Sequence, residues 1–201
     1  MKQSRFLLYS GFVLLAALPR LIPYLLEYFG ADTATNLFAF PWKLSPVAAI
    51  CLFGGAHFAT RRAAFLVPLV AMLLSDLAVG LLMHNMAFAF YKEMIFVYAC
   101  FAFTIGMGIW LRRYRENYPV IASAALLSEV VFFLVTNFGT WYFSNGYYPP
   151  TAAGLVDCYI AAIPFINRSL LSMMLYGTIL FGSYAWAERR YPAFCRQMFS
   201  R

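Results

Sequence analysis

The sequence predicts an all-α, polytopic membrane protein: a bundle of six transmembrane helices with both termini cytoplasmic. Three observations predict it. Of the 201 residues, 63% are hydrophobic and 11% charged, too few polar side chains to cover a water-soluble surface. The apolar residues fall into runs separated by short polar joints, and since crossing about 30 Å of hydrocarbon takes roughly 20 apolar residues, the runs accommodate six passes. The basic residues collect in alternate joints, which sets the orientation. Residues 1–201 then form a single membrane domain, with no stretch left for a nucleotide-binding fold or a soluble catalytic domain.

The first run, 6–28, follows Lys2 and Arg5 as a signal peptide would. It continues past Pro19 and Arg20 to Phe29 with no small-residue cleavage site, and reads as a retained helix. The second, 45–60, is short, and has room to begin near Leu37 with Pro41 and Pro46 bending its start and Lys43 snorkelling toward headgroups. The remaining spans are 63–83, 94–111, 119–143 and 166–187. Counting through them puts Lys2, Arg5, Arg61, Arg62, Arg112, Arg113, Arg115, Arg189, Arg190, Arg196 and Arg201 on one side, eleven of the 15 basic residues. That side is the cytoplasm of a bacterial inner membrane. Basic inner loops facing anionic lipid account for the net charge of +7 without nucleic acid.

The outer loops, 30–44, 83–93 and 144–165, are longer and aromatic, with Phe38, Phe40, Trp42, Phe88, Phe90, Tyr91, Tyr147 and Tyr148. Such loops form either an interfacial belt or lids over a site that opens outward; their length and the Pro149–Pro150 pair favour lids.

Ionisable groups at membrane depth normally face the bundle interior and have a partner or a function. At a rise of about 1.5 Å per residue, Arg20 lies about 21 Å along the first span and Asp76 about 20 Å along the third, both in the outer half. Tyr24 and Glu27 continue the Arg20 face outward. Glu129 falls near mid-depth on the fifth span, Asn137 and Trp141 occupy its outer turns, and Asn167 and Arg168 begin the sixth. Pairing of Arg20 with Asp76 and of Arg168 with Glu27 would explain four of these as helix glue. A solute pocket explains in addition why the amides, Trp141 and the aromatic loops share one level. His57 and His84 fall at opposite faces and cannot ligate one haem; each alone reads as a packing or interfacial residue, with axial ligation of a metal-containing solute the alternative for His84, above the pocket.

Cys51, Cys100, Cys158 and Cys195 show no CxxC spacing, which argues against a disulfide framework or a zinc site. Cys51, Gly55 and Ala59 form a small-residue stripe, as do Ala71 with Ser75 and Ala102 with Gly106, and such stripes permit close helix contact.

The run Phe40-Pro41-Trp42-Lys43-Leu44-Ser45-Pro46-Val47-Ala48-Ala49-Ile50, then Gly54-Gly55, Pro68 and Ser75-Asp76-Leu77-Ala78-Val79-Gly80 resembles a substrate-binding S component of energy-coupling factor (ECF) vitamin transporters. The resemblance implies six helices, a pocket in the outer half closed by the first outer loop and later ones, and release driven by a membrane coupling protein with two ATPase subunits, although solitary members exist. The chain departs from the family at Gly11, followed at i+4 by Leu15, where an Ala-x-x-x-Ala docking motif is expected.

The expected function is therefore high-affinity binding and uptake of a small ring-bearing vitamin or cofactor precursor. Arg20, Tyr24, Glu27, Asp76, His84, Asn137, Trp141, Asn167 and Arg168 form the candidate substrate site. Aromatic faces stack on rings while amides fix their edges, which suits cobalamin, flavin, thiamine-like or modified-base precursors. No intrinsic cofactor or metal is expected, and the partners are the solute, the bilayer and the coupling module. The alternative is a structural subunit of a larger membrane complex with no solute of its own. An enzyme is not expected, since the chain has no HExxH, no Gly-x-Ser-x-Gly and no carboxylate run suited to a metal cluster.

Overall fold

A computed structural model describes residues 2–30 and 44–199, and every regular element among them is helical. The helices are α1 (Lys2–Tyr28), α2 (Val47–His57), α3 (Arg61–Leu82), α4 (Met94–Trp110), α5 (Tyr118–Tyr142), α6 (Ala152–Arg190) and α7 (Pro192–Phe199), with single 3-10 turns at Met86–Phe88 and Leu111–Arg113. Five of the helices are long and apolar enough to cross a membrane: α1, α3, α4, α5 and α6. Each leaves large apolar side chains exposed, among them Phe6, Leu14, Leu66, Leu74, Phe103, Leu126, Leu134, Ile160 and Met174. Lipid is the solvent that tolerates such faces, and closed helices leave no backbone group unsatisfied within it.

The elements differ from the expected spans in three places. The second apolar run forms only the 11 residues of α2, about 16 Å at helical rise, and is too short to span hydrocarbon by itself. The third outer loop is much shorter than 144–165, because Thr151 caps a new helix by accepting from Gly154 N at 3.2 Å. The result is the 39-residue α6, which carries Pro164 inside it. The tail beyond the last span forms α7, with Cys195 and Met198 buried. Phe38, Phe40, Pro41, Trp42 and Lys43 lie outside the described residues.

Helix α2 is the axis of the packing. All of its residues except Ala48 are buried, enclosed by α3, α4 and α6. Its small residues allow this: a Cβ on Gly55 would stand 2.4 Å from the Ile105 carbonyl oxygen and 2.8 Å from the Gly108 Cα. The α2–α4 contact is therefore backbone against backbone. Cys51, Gly55 and Ala59 are all buried, and so are Ala71 and Ser75. The Ala102–Gly106 stripe is not part of this contact, since Gly106 is exposed with open space around it; its place is taken by Gly108.

The direction of each helix follows from named contacts. Tyr9 and Phe12 of α1 pack on the Phe58 ring beyond the end of α2, at 5.1 and 5.0 Å between centroids. Arg112 at the end of α4 donates to the Gly55 and Phe58 carbonyls at 2.8 and 3.0 Å, satisfying carbonyls a helix end leaves open. Phe199 of α7 meets Phe53 and Tyr184, and Arg5 donates twice to the Gln197 carbonyl, at 3.0 and 2.9 Å. The start of α1, the ends of α2, α4 and α6, and α7 thus gather at one arginine-rich end, and the bonds from Arg5 tie the two ends of the described chain together.

Candidate functional site

Polar side chains form two groups that adjoin α4, one at Tyr98 and one at Phe101, with Arg168 of the second group exposed. The first joins α1, α3 and α4. Arg20 Nη2 donates to Asp76 Oδ1 at 2.6 Å, and Tyr98 Oη donates to Asp76 Oδ2 at 3.0 Å. The Arg20 Nη1 also contacts the Met72 thioether. Each carboxylate oxygen thus takes a donor from a different helix, and the Asp76 side chain is 3% exposed. Such a carboxylate is stable at membrane depth only because both of its oxygens are engaged. Tyr91, in the loop before α4, lies within electrostatic reach of Asp76, Arg20 and Tyr24; burial, then the Asp76 charge, push its phenol up to about 12.

The second group surrounds a cavity of about 220 Å³. Phe165, Arg168, Ser169, Ser172 and Met173 line it from α6, at the i, i+3, i+4, i+7 spacing of one helix face. Glu129 and Phe132 come from α5, Phe101 from α4, Ala48 from α2 and Ser45 from the residues preceding α2. Glu129 is buried and accepts a hydrogen bond from Ser169 Oγ. Ser172 Oγ donates to the Ser45 carbonyl at 2.6 Å, joining α6 to the segment that leads into α2. The Arg168 guanidinium lies 6.0 Å from the Phe165 ring centroid. One buried carboxyl, one guanidinium, three serines and three phenylalanine rings thus border one space. Phe101 follows Tyr98 by three residues on α4, so the two groups lie about one turn apart in depth.

The candidate residues read from the sequence are distributed as follows. Arg20 and Asp76 meet, as the pairing reading expected. Tyr24 is half-buried beyond them on α1, while Glu27 is exposed; the expected Arg168–Glu27 ion pair is not among those of the described residues. Asn137 does not join the cluster: its Nδ2 donates to the Phe133 carbonyl of its own helix at 2.8 Å. Trp141 Nε1 donates to the Pro149 carbonyl at 2.9 Å, folding the α5–α6 connection back on itself. Asn167 is exposed, and Arg168 belongs to the second group. His84 is exposed at φ +50 beyond α3, where Asn85 N donates to the Gly80 carbonyl at 3.0 Å. That bond closes the helix in the Schellman pattern, with histidine in the left-handed place usually held by glycine.

Tyr98, Phe101, Phe132, Ser169 and Ser172 belong to no motif in the sequence, Ser45 stands only within the resemblance, and Glu129 is set apart there by depth alone. For Ser169 and Ser172 the signal is their one-face spacing with Phe165 and Arg168, which the expectation of a loop through 165 cuts short. Among the described residues no three His, Cys, Asp or Glu side chains group as metal ligands. All four cysteines are buried free thiols.

The chain belongs to a family of unknown function, DUF6580, whose sequence model matches residues 1–194. No curated protein and no solved structure gives a significant match.

Proposed function

We propose that the protein binds a small ring-bearing vitamin or cofactor precursor within the membrane and serves its uptake, as the substrate-binding subunit of an ECF-type transporter in a bacterial inner membrane. The observation that carries this reading is the cavity bordered by Glu129, Arg168 and Phe101. Its mixture of rings with a few converging polar groups is what a ring-bearing solute requires. A volume of about 220 Å³ supports one or two rings and argues against a corrinoid. Glu129 receives a cationic or hydrogen-bond-donating edge, Arg168 an anionic or carbonyl edge, and the phenylalanines stack on the faces.

Uptake requires a defined orientation. The Arg5–Gln197 bonds support an even number of passes, and six passes give both ends a cytoplasmic place under the positive-inside rule. In this reading the Arg20–Asp76–Tyr98 group holds α4 in position, so that Phe101 keeps its place in the cavity wall. A separate coupling protein and two ATPases would drive release; the chain itself is not an enzyme.

The same ion pair favours one other reading, a structural subunit of a larger membrane complex, because both Asp76 oxygens are already occupied by protein donors. Native mass spectrometry of the detergent-extracted chain separates the two. A stoichiometric small molecule that is lost in Glu129→Gln supports the binder; a solute-free chain recovered with partner subunits removes it.

A further inference from the structure

Asp76 and Glu129 are both carboxyls buried at membrane depth, and they are satisfied in different ways. Asp76 meets the Arg20 guanidinium on one oxygen and the Tyr98 hydroxyl on the other. Glu129, at 2% exposure, takes one neutral donor, the Ser169 hydroxyl on Oε2. No Lys, Arg or His of the described residues forms an ion pair with it. Burial and the Ser169 bond act on this carboxyl, and no charged group of the described residues does. Its Oε1 has no hydrogen-bond partner among the described residues and, unlike the sealed His57 Nδ1, keeps accessible surface. Glu129 borders the cavity of about 220 Å³, and that surface opens into it.

A carboxylate buried without a counter-charge is costly in hydrocarbon, and a positive charge brought to it offsets the cost. A proton or a cationic ligand can bring one. A proton needs neither room nor rings, whereas the free oxygen here faces a space bordered by three phenylalanines. Phe101 and Phe132 lie 5.4 Å apart between centroids, and Phe165 stands on the α6 side. Ring faces attract cations, most strongly where water is excluded.

Few donors are left for an anion. Ser169 gives its hydroxyl hydrogen to Glu129, and Ser172 gives its own to the Ser45 carbonyl at 2.6 Å. Arg168 is the guanidinium on the wall; it is exposed, 6.0 Å from the centroid of the Phe165 ring. Exposed charges are screened far more than buried ones, so Glu129 sets the sign that the interior accepts and Arg168 acts at the edge.

We propose that the solute of this cavity is an organic cation, with a protonated or quaternary nitrogen on or within a small ring system seated against Glu129 Oε1. This inference rests on the uptake reading and narrows its substrate class to ring compounds that carry a positive charge where they meet Glu129.

The test titrates the purified full chain, in detergent at neutral pH, with benzamidinium, benzamide and benzoate by isothermal titration calorimetry. The three probes share one planar shape and are cationic, neutral and anionic in turn. Benzamidinium is expected to bind about tenfold or more tightly than either of the others, the gain of a charge-assisted contact in a buried site over a neutral one. Glu129→Gln keeps the shape of the wall and should bring benzamidinium level with benzamide. Benzamide or benzoate bound as tightly as benzamidinium by the unaltered chain overturns the cationic assignment, and so does a preference for benzamidinium that survives in Glu129→Gln. Binding of none of the three overturns it as well; a solute still carried by the extracted chain then leaves the uptake reading intact, and a solute-free chain removes both. If Glu129→Gln fails to fold, the order of the three probes on the unaltered chain decides the matter alone.

Discussion

The Asp76 carboxylate takes its two hydrogen bonds from different helices, with Arg20 of α1 at 2.6 Å on one oxygen and Tyr98 of α4 at 3.0 Å on the other. Truncating one partner leaves the other charge without compensation at membrane depth. Asp76→Ala should therefore lower stability by about 3–5 kcal/mol, the range for breaking a buried pair, and thermal unfolding in detergent measures it. Exchanging the two, Arg20→Asp with Asp76→Arg, should recover only part of the loss, because Tyr98 Oη then faces a guanidinium instead of an acceptor. Adding Tyr98→Phe to the exchanged protein should cost little more, whereas alone it costs roughly 1.5–3 kcal/mol, as expected for a hydrogen bond to a charged group. Full recovery by the exchange would show that Tyr98 contributes nothing.

The glycines of α4 separate a packing role from a propensity role. On Gly108 a Cβ would stand 2.2 Å from the Leu52 carbonyl oxygen, while Gly106, two residues away, has open space. Gly108→Ala must push α2 and α4 apart along their closest contact, and overpacking of this kind costs about 1–3 kcal/mol. Gly106→Ala meets nothing and should be neutral, or stabilising by up to about 1 kcal/mol through helix propensity. Unfolding midpoints of the two variants should differ in that order; a Gly106→Ala protein as destabilised as Gly108→Ala would contradict the assigned contact.

The membrane character and the long helices were legible because period and composition act locally, and lipid imposes the same rule on every crossing. Arg20 with Asp76 was legible too, since two opposite charges at one depth have few other ways to be satisfied. The other polar residues were read by depth alone, and depth does not give rotation about the helix axis. Asn137 illustrates this: its amide reaches the Phe133 carbonyl without leaving α5, an option open to any asparagine in a helix. The α6 wall of the cavity was hidden for a different reason. The expected loop 144–165 separates Phe165 from the sixth span, yet the helix runs from Ala152 through Pro164, whose lost hydrogen bond is tolerated inside a packed helix within lipid, and so sets Phe165 on one face with Arg168, Ser169 and Ser172.

Tyr91 gives the outer end a signature in pH. Its phenol is pushed up to about 12 by burial and then by Asp76, above its unfolded value of about 10. The folded state therefore favours the neutral form: the associated stability is complete below about pH 10 and is lost as pH rises through 12. Unfolding midpoints followed across that window should fall less steeply in Tyr91→Phe than in the unaltered chain. Identical slopes would mean that neither burial nor Asp76 shifts the Tyr91 phenol.

Glu129 and Asn137 lie on the same helix, two turns apart, and the two readings of the polar residues assign them opposite roles. If the Glu129 cavity holds the solute, Glu129→Gln removes a charge from its wall without changing its shape. Replacing a charge-assisted hydrogen bond worth about 1.5–3 kcal/mol should lower retained solute roughly 10- to 100-fold. Asn137→Ala should leave retention unchanged, because that amide is spent on its own helix. The measurement is the molar ratio of small molecule released on denaturing the purified protein, with unfolding midpoints as the control for folding. Retention lost in Asn137→Ala and kept in Glu129→Gln would move the site away from this cavity, toward the outer turns of α5 around Asn137 and Trp141.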